Sequence, residues 1–368
     1  MKRRNALKVL GGGFIFSTAA LGGVGTYVAT RKPKTARLPW GSAGNYTEIR
    51  HIALSYALLA ANPHNQQPWI VELVGDDRLH LWKDKTRLLP ETDPYGRQIN
   101  IGLGCFLEQM VLASKSHGYD VVIDVFPSGQ DGPVATAVFS KGANRDYLFD
   151  YILERRSCKK PFEDKLVSRA QALNLAPYAS VEIGQGKVSE IKKITWDAYV
   201  VEATTPRIWK ESVDLMRLGV VEVDANPDGI SLTGGLMEIM TTTGILTREN
   251  SMDMQSTGFR KGMEIFHTKL HATPAYVYLK SQQNTPDDQV AIGRQWARLN
   301  LKTTEMGLSL HPVSQALQEY PEMAEQYRNI HDLLVKPGET VQMLGRLGYG
   351  PDVPPAPRWP LEEKLKNG

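Results

Sequence analysis

Apolar residues recur with two different periods along the chain and predict a protein that contains both helices and strands. Apolar positions three and four residues apart predict helices, whereas short runs rich in Val, Ile and aromatic residues predict strands. On this basis helices are predicted over residues 48–61, 101–117, 188–202, 206–218, 258–270 and 286–306. Strands are predicted over residues 69–74, 78–84, 121–126, 275–280 and 344–350. The expected fold class is α+β.

Glycines mark the ends of the two longest predicted helices. Gly118 follows the first helix and Gly307 follows the second, as expected at helix C termini. When the two helices are aligned on these glycines, Gly104 falls opposite Gly293. Each helix also follows a loop that contains Asp and Pro, and each precedes a predicted strand. This echo predicts two related halves that pack against each other.

Composition and charge are those of an ordinary globular protein. Of the 368 residues, 42% are hydrophobic and 23% are charged, and the net charge is +3. Such a charge gives no electrostatic footprint for DNA or RNA, so we expect no nucleic-acid partner. Two cysteines, Cys105 and Cys158, exclude a framework of several disulfides but allow one bridge. The sequence contains no CxxC motif of the kind found in redox and zinc sites.

The first 30 residues differ from the rest of the chain. Arg3 and Arg4 precede a weakly apolar, glycine-rich run over residues 9–29, an arrangement that resembles a twin-arginine export signal. We therefore expect residues 1–30 to engage the twin-arginine machinery and to direct the protein to the periplasm or to the outer face of the cytoplasmic membrane. A retained membrane anchor is the alternative to a cleaved signal, because a membrane span needs roughly 20 residues. Residues 31–46 are predicted to be a linker.

The segment from Asn62 to Trp69 concentrates side-chain amides between two prolines. Its sequence is Asn-Pro-His-Asn-Gln-Gln-Pro-Trp. Asn and Gln each offer a carbonyl acceptor and an NH₂ donor, which suits the alternating edge of a planar heterocycle such as a flavin pyrimidine ring. Pro63 and Pro68 fix local φ angles and hold the amides on a stiff, non-helical segment. A polar turn before a strand is the alternative interpretation.

A basic segment over residues 155–160 is the second candidate for binding. It carries four cations and one hydroxyl: Arg155, Arg156, Ser157, Lys159 and Lys160. Charge-assisted donors together with a hydroxyl are what a phosphate dianion requires. A solvated basic turn is the alternative. Far downstream, Arg358 lies on a proline-rich tail and by itself predicts only a surface residue.

Other residue types with chemical potential give weaker signals. His267 and His271 have helical spacing that could hold zinc, but the HExxH pattern is absent and no third ligand is evident. We therefore predict no metal site and a solvated helix face. Cys158 is expected to pack rather than to react. His64 and His311 are candidate proton donors next to a flavin.

Taken together and in this order, the motifs resemble the nitroreductase superfamily of FMN proteins. The likeness is to its long-chain Acg-like branch, in which two nitroreductase-type halves occupy one polypeptide, and it covers residues 47–365. The motifs that carry it are Asn62–Trp69, Asp93–Arg97, Arg155–Lys159, Arg346–Gly350 and Pro357–Leu361. The resemblance implies an α+β nitroreductase-like fold, with one half over residues 47–149 and the other over residues 150–368. It also implies that the halves form an internal pseudo-dimer, in a monomer or a homodimer, around one FMN.

The resemblance further implies roles for individual residues. Arg155 and Ser157 would bind the FMN phosphate, and Lys159 would lie near N1 and O2 of the ring. Arg358 would also reach the phosphate from the C-terminal arm. The other half would supply the residues that pack on the ring, which are Asn62, Pro63, His64, Asn65 and Gln67. This chain has Asn-Pro where the superfamily usually has Pro-Ser.

The function implied by the resemblance is an FMN-dependent oxidoreductase that alternately reduces and oxidises its flavin. No side chain need act as a nucleophile, and the Lys159 ammonium would stabilise the anionic reduced flavin. Nicotinamide dinucleotides are scarce outside the cytoplasm, so an exported enzyme would need a quinol or protein electron donor. The alternative is a non-catalytic FMN-binding or sequestering protein in which the glycine-rich segment 224–235 covers the flavin as a lid.

Overall fold

The structure of the chain, a computed structural model, describes residues 30–366. All but the last residue of the predicted export signal therefore lies outside the described residues. Within residues 30–366, no helix combines the length and the apolar character that a membrane span requires.

Helices and strands are interspersed along the whole described chain. The helices are α1 Leu38–Ser42, α2 Ile49–Ala57, α3 Arg97–Ser116, α4 Arg169–Leu175, α5 Gln185–Thr204, α6 Pro206–Asp214, α7 Gly219–Ala225, α8 Gly235–Thr242, α9 Arg248–Met252, α10 Thr257–His271, α11 Pro286–Glu305 and α12 Ala324–Leu334. The strands are β1 Trp69–Val74, β2 Arg78–Lys83, β3 Tyr119–Val125, β4 Ala135–Lys141, β5 Ser180–Glu182, β6 Met216–Leu218, β7 Ile230–Leu232, β8 Ala275–Ser281, β9 Ser309–Pro312 and β10 Thr340–Gly348. This mixed content confirms the α+β class.

Two four-stranded antiparallel sheets of the same topology form the framework. The strand order is β1-β2-β4-β3 in the first sheet and β5-β8-β10-β9 in the second. A long helix connects the second and third strands of each sheet: α3 follows β2, and α11 follows β8. Corresponding strands therefore occupy corresponding places in the two sheets. Strands β6 and β7 form a separate parallel pair.

Helices α3 and α11 touch each other at Gly104 and Gly293, the two glycines that the alignment of the halves had paired. A Cβ atom added to Gly104 would lie 2.1 Å from the carbonyl oxygen of Val290. One added to Gly293 would lie 2.0 Å from the carbonyl oxygen of Ile101. No side chain fits at such separations, so this close helix contact requires glycine at both positions.

Helix α3 is the most deeply buried element, since every residue from 97 to 114 is buried. A helix that is buried on all sides has no solvated face, so apolar residues occur all round it. Its carboxylate Glu108 is paired across the helix contact, where it accepts hydrogen bonds from Arg294 Nε and Arg298 Nη1, both at 2.8 Å. The contact thus joins α3 to α11 through packing and through charge.

The N terminus of α3 lies earlier than the apolar pattern predicted. The helix begins at Arg97 rather than at residue 101, because the Asp93 carboxylate accepts a hydrogen bond from the backbone N–H of Ile99 at 2.9 Å. That contact satisfies one of the N–H groups that a helix start leaves unpaired. Arg97 then donates to the carbonyl oxygen of Gln342 at 2.6 Å. The Asp93–Arg97 motif therefore starts one helix and holds the second sheet.

The segment predicted as a linker is part of the packed fold from residue 34 onward. The Asp224 carboxylate accepts hydrogen bonds from the backbone N–H groups of residues 34–36 at 2.9 to 3.0 Å. Helix α1 follows, and its Trp40 is buried. The backbone N–H of Arg358 also donates to the Ala36 carbonyl oxygen at 2.8 Å. These contacts join the start of the described chain to its C-terminal arm, which a free linker would not do.

Candidate functional site

We call Asn62–Trp69 the amide segment. It connects α2 to β1 and has an unusual backbone. His64, Asn65 and Gln67 have φ angles of 46°, 56° and 52°. Non-glycine residues rarely adopt this left-handed region, at a cost of roughly 1–2 kcal/mol each. A side-chain bond within the segment supports the conformation, since Asn62 Oδ1 accepts from the backbone N–H of Gln67 at 2.8 Å. Strain of this kind concentrates at ligand sites and persists where the surroundings fix it.

The side-chain amides of Asn65 and Gln67 are bound to neighbouring protein groups. Gln67 is fully buried: its Nε2 donates to the Pro227 carbonyl oxygen at 2.8 Å, and its Oε1 accepts from the backbone N–H of Trp359 at 2.9 Å. Asn65 Oδ1 accepts from Arg358 Nη1 at 2.5 Å. The segment therefore fastens the C-terminal arm and the chain near Pro227, and these amide groups are already satisfied by the protein.

Arg155 and Arg358 are also engaged by the protein. Arg358 donates to the carbonyl oxygens of residues 58, 59 and 60 at 2.6, 3.1 and 2.8 Å. Arg155 Nη2 donates to the same Leu59 oxygen at 2.8 Å, and its Nη1 donates to Asn300 Oδ1 at 3.0 Å. These carbonyls follow the C terminus of α2, where the helix dipole favours cations. The phosphate role implied for both arginines stays a prediction that these contacts do not support.

The arginines gather around the Trp40 ring. The Cζ atoms of Arg155, Arg156 and Arg358 lie 5.8, 4.8 and 5.8 Å from the ring centroid. An aromatic face attracts cations at such distances. Burial lowers the pKa of Arg155 to about 10, and the Arg156 charge acts in the same direction. We call Arg155, Arg156 and Arg358 with Trp40 the arginine cluster.

Ser157 and Lys159 have different surroundings from Arg155, although they belong to the same motif. Among the described residues, neither side chain has a hydrogen-bond partner. Lys159 is accessible to water, yet desolvation by the surrounding protein lowers its pKa. Both observations fit an ammonium on the wall of a recess. The neighbouring Cys158 donates its backbone N–H to the Leu310 carbonyl oxygen at 3.0 Å, which places Lys159 beside strand β9.

Several cationic or imidazole side chains lie close enough to Lys159 for its charge to lower their pKa values. Burial lowers the pKa of His64 to about 4, with a further contribution from the Lys159 charge. Burial also lowers the pKa of His311 far below its usual value, and the charges of Lys269, Arg346 and Lys159 add to that effect. We call Lys159, Lys269, His311 and Arg346 the cationic recess. Sequence reasoning missed Lys269, because one lysine on an amphipathic helix gives no signal.

Glu202 offsets part of this positive charge. Its side chain is buried, and its charge acts on the neighbouring Lys269. Burial raises the pKa of Glu202 to about 7, so near neutral pH the carboxyl is only partly ionised. The recess consequently keeps an excess of positive charge, which favours an anionic ligand.

Among the described residues, four nitrogen atoms in the two candidate segments are buried without a hydrogen-bond partner. They are His64 Nδ1, Gln66 Nε2, Trp69 Nε1 and Arg155 Nε. A buried polar atom without a partner destabilises a protein by about 1–3 kcal/mol, so such atoms need an explanation. A bound molecule with several donor and acceptor atoms would supply partners.

The chain around Asp228 lies directly on the amide segment. The backbone N–H of Gly229 donates to the Asn65 carbonyl oxygen at 3.2 Å. The Asp228 carboxylate is held by Arg87 Nη1 at 2.7 Å, Arg217 Nη2 at 2.6 Å and Trp359 Nε1 at 2.9 Å. We call these four side chains the Asp228 clamp. Part of the predicted lid, residues 224–235, therefore packs against the amide segment. The predicted lid is not loop alone, because it contains strand β7.

The remaining candidates do not form a site among the described residues. No group of three or more His, Cys, Asp or Glu side chains in residues 30–366 could hold a metal ion. His267 and His271 stack on each other with ring centroids 5.3 Å apart. Cys105 and Cys158 are both buried free thiols.

Comparison with known proteins supports the nitroreductase-like resemblance over part of the chain. No family model matches the sequence. A curated relative from Mycobacterium tuberculosis, named putative NAD(P)H nitroreductase acg, is 31% identical over 123 residues. The match covers 32% of this chain and 37% of the relative, so the chain spans little more than a third of that protein's length.

Solved nitroreductase structures show a limited likeness. The FMN-dependent nitroreductase NfnB from Mycobacterium smegmatis in complex with NADPH is 15% identical, with a TM-score of 0.37, and the match covers 60% of this chain and 98% of that one. A nitroreductase with bound FMN from Bacteroides fragilis is 12% identical, with a TM-score of 0.32, and the match covers 56% of this chain and 89% of that one.

Proposed function

We propose that this protein is an FMN-dependent oxidoreductase of the nitroreductase-like kind. In this proposal the two halves form an internal pseudo-dimer that binds one FMN between them. The observation that carries the proposal is the cationic recess, in which the Lys159 ammonium has no protein partner among the described residues. The match to a putative nitroreductase and the shared topology of the two sheets support it.

The residues of the site fit FMN in three respects. The ammonium groups of Lys159 and Lys269 suit a flavin edge that becomes negative on reduction. The unpaired His64 Nδ1 and Gln66 Nε2 suit a ring with alternating donors and acceptors. The Ser157 hydroxyl, which has no hydrogen-bond partner within residues 30–366, suits a phosphate oxygen. When bound, FMN would supply the hydride or electron transfer, and the protein would bind, orient and shield it.

The proposal is tested by identifying the bound cofactor and its reactivity. The protein is purified in its full-length form, and any released flavin is identified by mass spectrometry. We expect FMN, and we expect anaerobic reduction by at least one biological donor class, either a nicotinamide dinucleotide or a quinol analogue. A protein that neither carries nor takes up FMN would refute the proposal.

A second candidate function, FMN sequestration, is supported by the Asp228 clamp. The chain around Asp228 packs on the amide segment and would occupy the space that a substrate needs for stacking on a flavin. A sequestering protein would hold FMN that dithionite reduces while nicotinamide dinucleotides and quinol analogues do not. The variant Asp228→Asn weakens the clamp, and under the sequestration hypothesis it should speed FMN release and open the flavin to these donors.

We further propose that the protein works outside the cytoplasm. This part rests on the sequence of residues 1–30 alone, and it makes a quinol or protein electron donor more suitable than a nicotinamide dinucleotide. Changing both Arg3 and Arg4 to Lys should retain folded protein in the cytoplasm, as measured by cell fractionation. Normal export of that double variant would refute the export proposal.

The oligomeric state of the purified protein is a separate question, and light scattering would distinguish a monomer from a homodimer.

A further inference from the structure

Arg346 is a fully buried cation on strand β10 that binds neutral groups. Its Nε donates to Thr273 Oγ1 at 2.7 Å, and its Nη2 donates to the Lys160 carbonyl oxygen at 3.2 Å. Its Cζ lies 4.1 Å from the centroid of the Phe162 ring. These contacts fix the plane and direction of the guanidinium. The remaining nitrogen, Nη1, lies 3.1 Å from His311 Nδ1.

This contact determines which ring nitrogen of His311 carries the proton. A guanidinium only donates hydrogen bonds, so His311 Nδ1 must be the acceptor. In the neutral ring the proton then lies on Nε2. Burial and the charges of Lys269, Arg346 and Lys159 all lower the pKa of His311, so the ring is neutral near pH 7.

The Nε2–H group of His311 is left for a molecule in the recess. His311 is buried, and among the described residues its Nε2 has no hydrogen-bond partner. A donor in these surroundings, close to the charges of Lys159 and Lys269, attracts an electron-rich oxygen or nitrogen atom. With Nδ1 already bound to Arg346, the ring cannot accept a second hydrogen bond and cannot act as a base without losing that contact.

We propose that His311 is a fixed hydrogen-bond donor to an electron-rich acceptor atom bound in the cationic recess, and that Arg346 is the positioning residue that sets its tautomer. The proposal rests on the proposed function in one respect, because it takes the acceptor edge of FMN as the group that His311 contacts. The tautomer itself follows from the protein contacts alone.

The tautomer is tested by NMR of the ¹⁵N-histidine-labelled, FMN-free protein near pH 7. The spectrum of His311→Gln identifies the His311 signals by their loss. We expect a proton on Nε2 in the wild-type protein, and a mixture of tautomers in Arg346→Met. A wild-type ring that is protonated on Nδ1, or on both nitrogens, would overturn the inference. If Arg346→Met fails to fold, the wild-type spectrum still decides the question.

The donor role is tested by FMN titration of two substitutions at one position. His311→Gln keeps an N–H donor, whereas His311→Leu has similar bulk and no donor. Loss of one hydrogen bond should weaken FMN binding roughly three- to tenfold in His311→Leu, and binding to His311→Gln should stay within about twofold. Equal affinities of the two variants, with unchanged melting temperatures, would overturn the donor role.

The two experiments separate failure of this inference from failure of the proposed function. If the wild-type protein binds FMN and both substitutions bind it equally well, the inference fails and the proposed function stands. If the wild-type protein does not bind FMN, the proposed function and the donor role fail together, and the NMR result alone decides the tautomer.

Discussion

Arg155 of the arginine cluster and Lys159 of the cationic recess belong to one basic segment and have opposite surroundings. In the arginine cluster, Arg155 and Arg358 donate to carbonyl oxygens and are nearly fully buried. In the cationic recess, Lys159 has no protein acceptor among the described residues and stays accessible to water. The basic segment over residues 155–160, which holds both Arg155 and Lys159, was predicted from the sequence to bind a phosphate. The partners of a cation, rather than its charge, therefore distinguish a structural cation from a binding one.

The largest effect is expected at Arg358. The substitution Arg358→Met leaves the Leu58 carbonyl oxygen and Asn65 Oδ1 without this donor, whereas the Leu59 and Ala60 oxygens keep other donors. Each buried group left unpaired destabilises the fold by about 1–3 kcal/mol. We expect the free energy of unfolding in urea to fall by about 3–5 kcal/mol in FMN-free protein. Lys159→Met is the control and should change it by less than about 1 kcal/mol. Similar losses in both variants would abolish the distinction between the two groups.

The next largest effect concerns Glu202, the acid beside the recess. Its pKa is raised from 4.5 to about 7 in the folded protein, so the folded state holds the proton more tightly than the unfolded state. The stability that this group contributes is present below pH 4.5 and is lost as the pH rises through about 7. The raised pKa corresponds to a loss of about 3 kcal/mol in the free energy of unfolding.

Glu202→Gln removes this titration without removing the side chain. Relative to the wild type, its free energy of unfolding should therefore rise between pH 5 and pH 8, by about 2–3 kcal/mol. Urea unfolding at a series of pH values measures the difference. A constant difference across this range would show that Glu202 does not titrate as its burial implies.

A smaller effect, on binding rather than stability, is expected at Lys159. Lys159→Met removes an ammonium that faces the proposed ligand and should weaken FMN binding by at least about tenfold, because a hydrogen bond to a charged group contributes about 1.5–3 kcal/mol. Lys160→Met is the matched control, since the adjacent side chain is exposed and belongs to neither group. Equal FMN affinities of the two variants would remove Lys159 from the site.

The smallest effect is expected at Ser157, whose hydroxyl has no partner among the described residues. Ser157→Ala should weaken FMN binding by about 0.5–1.5 kcal/mol, the contribution of one neutral hydrogen bond. Fluorescence titration of FMN measures this change, and the melting temperature of FMN-free protein should stay the same. A lower melting temperature with unchanged affinity would make Ser157 structural.

The sequence predicted the parts of the fold that depend on local pattern. The β1–β2 hairpin over residues 69–83 and the pairing of Gly104 with Gly293 are examples. Strand β4 and helix α12 were missed, and the linker around residues 34–42 was wrong, because packing against distant parts of the chain determines those structures. Local pattern carries no information about such partners.

In the candidate site, too, the sequence predicted the residues that belong to local motifs and not those that distant parts of the chain supply. His64 and Lys159 came from motifs, and the structure brings them together. Lys269 and the tautomer of His311 required the three-dimensional arrangement, since helix α10 and strands β9 and β10 are far apart in sequence. The contacts that engage Arg155 and Arg358 are also long-range, so the sequence motif alone could not show them.

Lysine footprinting with and without FMN tests directly whether the cationic recess is the cofactor site. The protein is treated with an amine-acetylating reagent, and the modification of each lysine is measured by mass spectrometry. We expect FMN to protect Lys159 and Lys269 from acetylation and to leave the reactivity of Lys160 unchanged. If FMN binds and the reactivity of Lys159 and Lys269 does not change, the cationic recess is not the cofactor site.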